Sequence, residues 1–483
     1  MSLRLAGKSR GTSIYVRLSA MQEITYRTKT FYDDLADQKA NHVHLILIAT
    51  KPDIIKQVPL YLELQKRKQC VLLGHTGQHY DENLSGGMLR EFGVEPDFNL
   101  HVRGQMHEVV SQIIGRLGFV IGEIKRGPAR RSLGGGGKIV IPYVHGDTTT
   151  AMAASNAGYC WSFSSVHVEA GLRTLSPRYW KSQIPNPKSQ TNSKFQIPNF
   201  GEWRKFLMEK EHWERGSLEP YPEQFNTRCS EAGSGIHLAP VNLNREFVLS
   251  EGFPEDRVFV TGNSVVDAVR EMEGKARKAG KAGHVFERHP ELADGDFVRF
   301  CIHRRENCVS ELRFMAIYGA MKKLIEAGRK VLLINMIQTK AAFERFGLQE
   351  EVTRMAKSHK NFVLSDVWSE YTDVIAAMSR AAVCATDSGS MQEEMNILGV
   401  PCVTLRFGSD RSESVLAGGN VIAPPVNADL ITSIIEGAWN NPDMRKVKNI
   451  YGESVSKKSI DAVLGVLEKQ EGVFRTEEGR LRA

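Results

Sequence analysis

The sequence has no apolar run of the roughly 20 residues that a membrane-spanning helix requires, and its longest, around Leu45 to Ala49, is only strand-sized. Residues 1–40 are basic and polar and hold no apolar stretch of the secretory kind. Cysteine is scarce: seven residues, at 70, 160, 229, 301, 308, 384 and 402, with no C-x-x-C pair among them. An odd, scattered set, partly inside apolar runs, argues against a disulfide framework or a structural zinc site and fits a reducing compartment. A cytoplasmic location is therefore expected. No metal is expected. No G-x-G-x-x-G follows the first strand, which speaks against a nicotinamide site, and no cofactor is expected. The formal charge of +7 is modest for 483 residues; it gives no sign of nucleic acid and suits an anionic substrate.

What is present is a long alternation of strands and helices. A chain of this length needs two or three domains, and 41% hydrophobic with 25% charged residues describes a globular protein. The near-continuous apolar run Val43 to Ala49 reads as a buried parallel strand, followed by an amphipathic helix through Lys66. Further strands fall at Cys70 to Leu73, Ile139 to Val144, before Glu169, near Ile236 to Leu238 and at Val258 to Thr261. A second series runs Phe297 to Ile302, Lys330 to Asn335, Phe362 to Leu364, Ala381 to Ala385 and Pro401 to Arg406. This rhythm predicts an α/β protein with two Rossmann-like, doubly wound parallel-sheet domains facing across a cleft. The expected boundaries are a flexible extension over 1–41, a first domain over 42–265, a linker over 266–295, a second domain over 296–445, and a helix and tail over 446–483. The linker assignment rests on a charged, Gly/Ala/Lys-rich composition. A basic, glycine-rich connection spans Lys125 to Lys138. Residues from about 175 to 220 break the rhythm, with Gln-Ile-Pro-Asn at 183–186 and again at 196–199. That segment reads as a mobile surface insertion, or alternatively a lid, with a short helix over Glu202 to Trp213.

The polar motifs fall where such sheets place ligands, beyond the carboxyl ends of strands. After Ala381 to Ala385 comes Thr386-Asp387-Ser388-Gly389-Ser390, then a helix. A strand that ends in small polar residues and opens into a helix offers backbone N–H groups and the positive end of the helix dipole, a seat for phosphate. The alternative is an ordinary turn with Ser388 as N-cap. Glu393 and Glu394, a turn further on, are placed to reach a ribose hydroxyl. Asp147, Glu169 and Glu223 lie at or just past strand ends, and crowded carboxylates suit the removal and return of a proton. His303-Arg304-Arg305-Glu306 places cations where a diphosphate would leave. Lys51 and Lys56 add positive charge at the first strand end, and Arg411 and Glu413 fall at the same edge of the second series. His79, His145 and His167 read as structural histidines.

Taken in order from about residue 43 to 465, these motifs resemble the non-hydrolysing UDP-N-acetylglucosamine 2-epimerases of bacteria and archaea. The carrying pieces are Thr50 to Lys56, His145 to Thr150, His167 to Thr174, Pro222-Glu223, Thr261-Gly262-Asn263, His303 to Asn307 and Thr386 to Glu394. The resemblance implies a glycosyltransferase-B-like fold with UDP held by the C-terminal domain, and a homodimer. It implies that UDP-N-acetylglucosamine loses its C2 proton and UDP to give 2-acetamidoglucal, to which UDP re-adds with a proton on the opposite face. By motif, Asp147, Glu169 and Glu223 match the acid/base carboxylates and His303 the residue beside the diphosphate. Ser388, Gly389 and Ser390 match the phosphate turn, Glu394 the ribose ligand, and Lys51, Lys56, Arg304 and Arg411 are expected on the UDP-sugar. The chain departs from the family pattern at several points: Lys51 stands for arginine, Ile302 for glycine and Gln78-His79-Tyr80 for Q-H-R. Arg228 is displaced by one, Met336 to Lys340 lacks a histidine, and the 175–220 insertion replaces a short turn. A hydrolysing epimerase, a UDP-sugar-dependent transferase and a non-catalytic UDP-sugar-binding protein are the alternatives.

Overall fold

The computed structural model describes residues 23–28, 30–32, 35, 40–77, 86–126, 138–179, 199–216, 219–280 and 283–474. The chain forms two compact units that are not contiguous in sequence. One comprises Met1–Gly171, Phe225–Ser264 and Val455–Ala483, the other Leu172–Gln224 and Val265–Ser454.

The sheet of the first unit contains β1 (Thr25–Tyr26), β2 (His42–Ile48), β3 (Val71–His75), β4 (Phe98–Asn99), β5 (Ile139–His145), β6 (Ser165–Val168), β9 (Ser234–Ala239) and β10 (Val258–Val260). Their order is β1-β4-β3-β2-β5-β6-β9-β10, parallel throughout except where β1 pairs with β4. The expected apolar runs became the central strands because both faces are covered. Val43, Leu45 and Leu47 point into the same buried cluster as Val140 and Val144.

The second unit carries β11 (Phe297–Cys301), β12 (Lys330–Ile334), β13 (Phe362–Ser365), β14 (Val383–Thr386), β15 (Cys402–Thr404) and β16 (Asn420–Ile422) in the parallel order β13-β12-β11-β14-β15-β16. A separate antiparallel ribbon pairs β7 (Leu175–Pro177) with β8 (Trp213–Arg215). Each large sheet reverses its winding beside its first long strand, between β2 and β5 in one unit and between β11 and β14 in the other. Such switch points open a crevice at the carboxyl ends of the strands. The turns after these four strands are the ones that carry the polar motifs.

Three expectations about organisation are corrected. The 1–41 segment is not wholly a loose extension: Ile24 and Phe31 are buried, and β1 adds an antiparallel edge strand on β4. The stretch expected to be a linker is helical over Val265–Ala279 and His284–Arg288, with Val265, Val269 and Met272 buried. Alanine, lysine, arginine and glutamate are good helix formers, and one apolar face sufficed to dock them. The described part of the insertion is fixed to the second unit. Helix Phe200–Leu207 buries Trp203 and Leu207, and the Trp203 indole N–H donates to the Ile422 carbonyl at 2.9 Å. Helix Val455–Gln470 returns to the first unit, where Arg67 pairs with Asp461. Residues 1–22, Gln78-His79-Tyr80, 127–137 of the glycine-rich connection, 180–198 with most of the repeats, and the 475–483 tail lie outside the described residues. Among the described residues no helix is long and apolar enough to cross a membrane.

Candidate functional site

In the first unit the site grows from the switch point between β2 and β5. Thr50 follows the strand and caps helix Lys51–Lys66: its N–H donates to Asp53 Oδ2 at 2.9 Å and its hydroxyl at 3.0 Å. Lys51 opens that helix, half-buried. Asp53 has a second role, because its Oδ1 accepts from His145 Nδ1 at 2.9 Å. The other ring nitrogen of His145 lies 3.0 Å from Glu169 Oε2. Glu169 Oε1 also accepts from the buried Lys56 ammonium, and from Asn263 Nδ2 at 2.6 Å. Asp53, Lys56, His145 and Glu169 thus form a buried quartet of two acids and two bases. Lys56, expected on the anion, has its ammonium on Glu169.

Backbone geometry forces this arrangement. Glu169 sits at φ +66°, a left-handed conformation that a non-glycine residue adopts only when its surroundings fix it. Gly146 has φ +60°, and a β-carbon there would lie 2.6 Å from Glu169 Oε2. Only glycine leaves room for the carboxylate to reach His145. Asp147, next in the chain, is half-buried, and its carbonyl accepts from Asn226 Nδ2 at 3.0 Å. His167 is structural, with Nε2 donating to the Gly146 carbonyl at 2.8 Å.

Burial alone would discharge His145. The Glu169 charge, with hydrogen bonds to Asp53 and Glu169, overrides it and lifts the imidazole pKa from 6.5 to about 9. The folded chain therefore holds a proton that the unfolded chain gives up. This stabilisation is complete below pH 6.5 and is lost as pH rises through about 9. Urea melts across that window should show stability falling by on the order of 3 kcal/mol, and His145→Gln should flatten the profile.

In the second unit the turns after β11 and β14 meet around Asp387. This residue is fully buried; its Oδ1 accepts from the His303 N–H and its Oδ2 from the Arg304 N–H and Asn307 Nδ2, each at 3.0 Å. Burial, together with Arg304, Arg406 and Arg299 nearby, outweighs Asp387 and holds the His303 pKa below its ordinary value. Ser388 is the N-cap of helix Gly389–Leu398, but its side chain makes no cap hydrogen bond. The first N–H groups of that helix have no partner within it. The Arg411 guanidinium lies against the same turn: a β-carbon on Gly389 would meet its Cζ at 3.4 Å. Arg411 is held by Glu393 Oε1 at 2.6 Å and Asp410 Oδ2 at 2.9 Å, and Arg406 shares Asp410 from the other side at 2.7 Å. Burial would raise the Asp410 carboxyl pKa, but the two arginines bring it far below the usual range. Glu413, bonded by the Tyr451 hydroxyl, is pushed up by burial to about 7. Glu394 accepts from the Tyr371 hydroxyl at 2.7 Å. Ser390 lies in the first turn of the same helix.

Glu223 belongs with this group. Read as a carboxylate of the first half, it lies in the second unit, at the start of helix Glu223–Ala232, with the Arg304 guanidinium donating to its Oε1. Sequence reasoning also missed Asp53, Asn263, Asp387 and Asp410. The first three stood inside quoted motifs, so the signal was present. Among the described residues one trio, His284, Glu370 and Asp373, brings its ligand atoms within 4.8 Å. Asp373 there gives its oxygens to Arg288 and the Val285 N–H.

The sequence model described as UDP-N-acetylglucosamine 2-epimerase matches residues 62–179 and 210–465, which include the motifs of both sites except the segment around Lys51 to Lys56. The chain belongs to the UDP-N-acetylglucosamine 2-epimerase family. A UDP-N-acetylglucosamine 2-epimerase of Methanocaldococcus jannaschii is 26% identical over 422 residues, covering 87% of this chain and 98% of the relative. Two solved structures match the fold with a TM-score of 0.68 at 24% identity and 88% of this chain. They are the Methanocaldococcus jannaschii epimerase with UDP-GlcNAc and UDP, covered over 99% of its length, and the Neisseria meningitidis epimerase with UDP-GlcNAc, covered over 100%. The two α/β units are those of this epimerase family's glycosyltransferase-B-like fold. The match is interrupted over 180–209, so helix Phe200–Leu207 lies outside the matched segments.

Proposed function

We propose that this family member inverts C2 of UDP-N-acetylglucosamine, or of a close UDP-sugar, to the manno configuration. The observation that carries the reading is the anion seat of the second unit: an uncapped helix start with Arg411 packed on Gly389. The diphosphate binds at Ser388, Gly389 and Ser390, and Glu394 takes the ribose. His303, neutral at physiological pH, stands by the bridging oxygen, where it can donate a hydrogen bond without a competing charge. In the elimination a carboxylate takes the C2 proton. The C–H electron pair becomes the C1–C2 double bond, and the C1–O bond breaks with its pair leaving on UDP. Re-addition reverses these steps with a proton on the other face. Asp147, Glu169 and Glu223 are the proton carriers in this reading. Lys51, Lys56 and Arg304 complete the charge balance, Lys56 through Glu169 and Arg304 through Glu223.

Incubation with UDP-N-acetylglucosamine in heavy water should place deuterium at C2 and yield the manno epimer, read by proton NMR. An unlabelled C2 with no epimer would rule this sugar out. Free UDP accumulating in step with free sugar would instead mark a hydrolysing enzyme. All seven cysteines are free thiols, which supports a cytoplasmic setting. We also propose a homodimer, testable by light scattering.

A further inference from the structure

Helix Phe200–Leu207, outside the family match, touches the segment that carries Arg411. The chain between β15 and β16, Leu405–Gly419, holds Arg406, Asp410, Arg411 and Glu413. Its far end is gripped by this helix: Arg204 Nε and Nη2 both donate to the Gly418 carbonyl, at 3.1 and 3.0 Å, and Trp203 Nε1 donates to Ile422. β16 is an edge strand of its sheet, so this indole reaches backbone that no further strand covers. The helix is itself well seated. The Phe200 ring packs so closely on Gly437 that a β-carbon there would lie 2.3 Å away, and Trp203 stacks on Phe206 with centroids 5.5 Å apart. The grip is transmitted inward. Asn420 Nδ2 donates to Ser414 Oγ at 2.6 Å, and the Ser414 hydroxyl donates to the Arg411 carbonyl at 2.7 Å.

We propose that Trp203 and Arg204, from the segment that lies outside the family match, are positioning residues for the nucleotide site. They brace Leu405–Gly419 and thereby hold the Arg411 guanidinium against the phosphate turn. This inference rests on the reading of that turn as the UDP seat. It gives the insertion a role in affinity for the UDP moiety and none in the proton steps.

The test uses the full chain with Arg204→Ala, Trp203→Phe, which keeps an aromatic ring but loses the donor, and Lys205→Ala on the exposed side of the same helix as a control. UDP affinity by calorimetry should fall about tenfold in Arg204→Ala and Trp203→Phe, and KM should rise with kcat unchanged. Arg204→Lys should recover part of the loss. Backbone hydrogen exchange over 405–422 should quicken in both variants, and Lys205→Ala should match the parent in every measurement. Unchanged UDP affinity and exchange in both variants, with UDP binding intact in the parent, would overturn the brace alone. A parent protein that does not bind UDP would overturn the brace together with the functional reading. Loss of kcat with KM unchanged would also count against the brace.

Discussion

Glu169→Gln is expected to cut C2 proton exchange about a thousandfold, mid-range for a group that moves a proton in the transition state. The same change should lower stability by about 3–5 kcal/mol, the usual cost of leaving buried charge unpartnered. The two effects have separate causes. The amide keeps the shape of the side chain, so Asn263 still finds an oxygen. It no longer balances Lys56 and the protonated His145, both buried beside it. Adding Lys56→Met removes the orphaned ammonium and leaves His145 paired with Asp53. The double variant should therefore regain most of the stability while exchange stays lost. Deuterium incorporation at C2 and urea melts of the two variants separate the roles. Near-normal exchange in a folded Glu169→Gln protein would remove Glu169 from the chemistry and leave it as the hub of the quartet.

Arg411→Ala carries the second largest expectation: UDP affinity down about a hundredfold by calorimetry, the upper range for a charged hydrogen-bonding group. The variant removes the guanidinium lying on Gly389, and it also strips a partner from Glu393 and Asp410, both buried. A stability loss of about 3–5 kcal/mol should accompany it, smaller if Arg406 alone can satisfy Asp410. Arg411→Lys restores the charge but not the fork that reaches Glu393 through Nε and Asp410 through Nη1, so it should recover only part of the affinity. UDP binding equal to the parent in Arg411→Ala would place the anion elsewhere. The brace variants provide an internal scale, since they disturb the same arginine from a distance.

Much of this architecture was legible from residues alone, for a physical reason. Parallel strands buried on both faces must be almost wholly apolar, so Val43 to Ala49 and Ile139 to Val144 announced themselves. Strands β1, β4 and β16 did not, being two or three residues long and too short to show a period. The strand-to-helix turn at Ser388 was legible because strand, small residues and helix are contiguous there. The buried quartet was not: His145 joins Asp53, 92 positions earlier, and Glu169, 24 later. A single histidine at a strand end carries no sign of such partners, so the sequence reads it only as a structural histidine. The short helix expected in the insertion is present at Phe200–Leu207, but composition gave no sign of what holds it. Trp203 and Arg204 find their partners Ile422 and Gly418 more than 200 positions away. Glu223 was assigned by its neighbours in sequence, while Arg304 decides where it resides.

Asp387 ties the two halves of the anion seat into one piece. Its carboxylate, shut away from water beneath the Ser388 turn, holds the backbone of both His303 and Arg304. The loop with the imidazole and the loop with the helix start cannot drift independently. In the proposed reading, a nucleotide entering this unit meets donors whose spacing is set before it arrives, so little of its binding free energy is lost to ordering the protein.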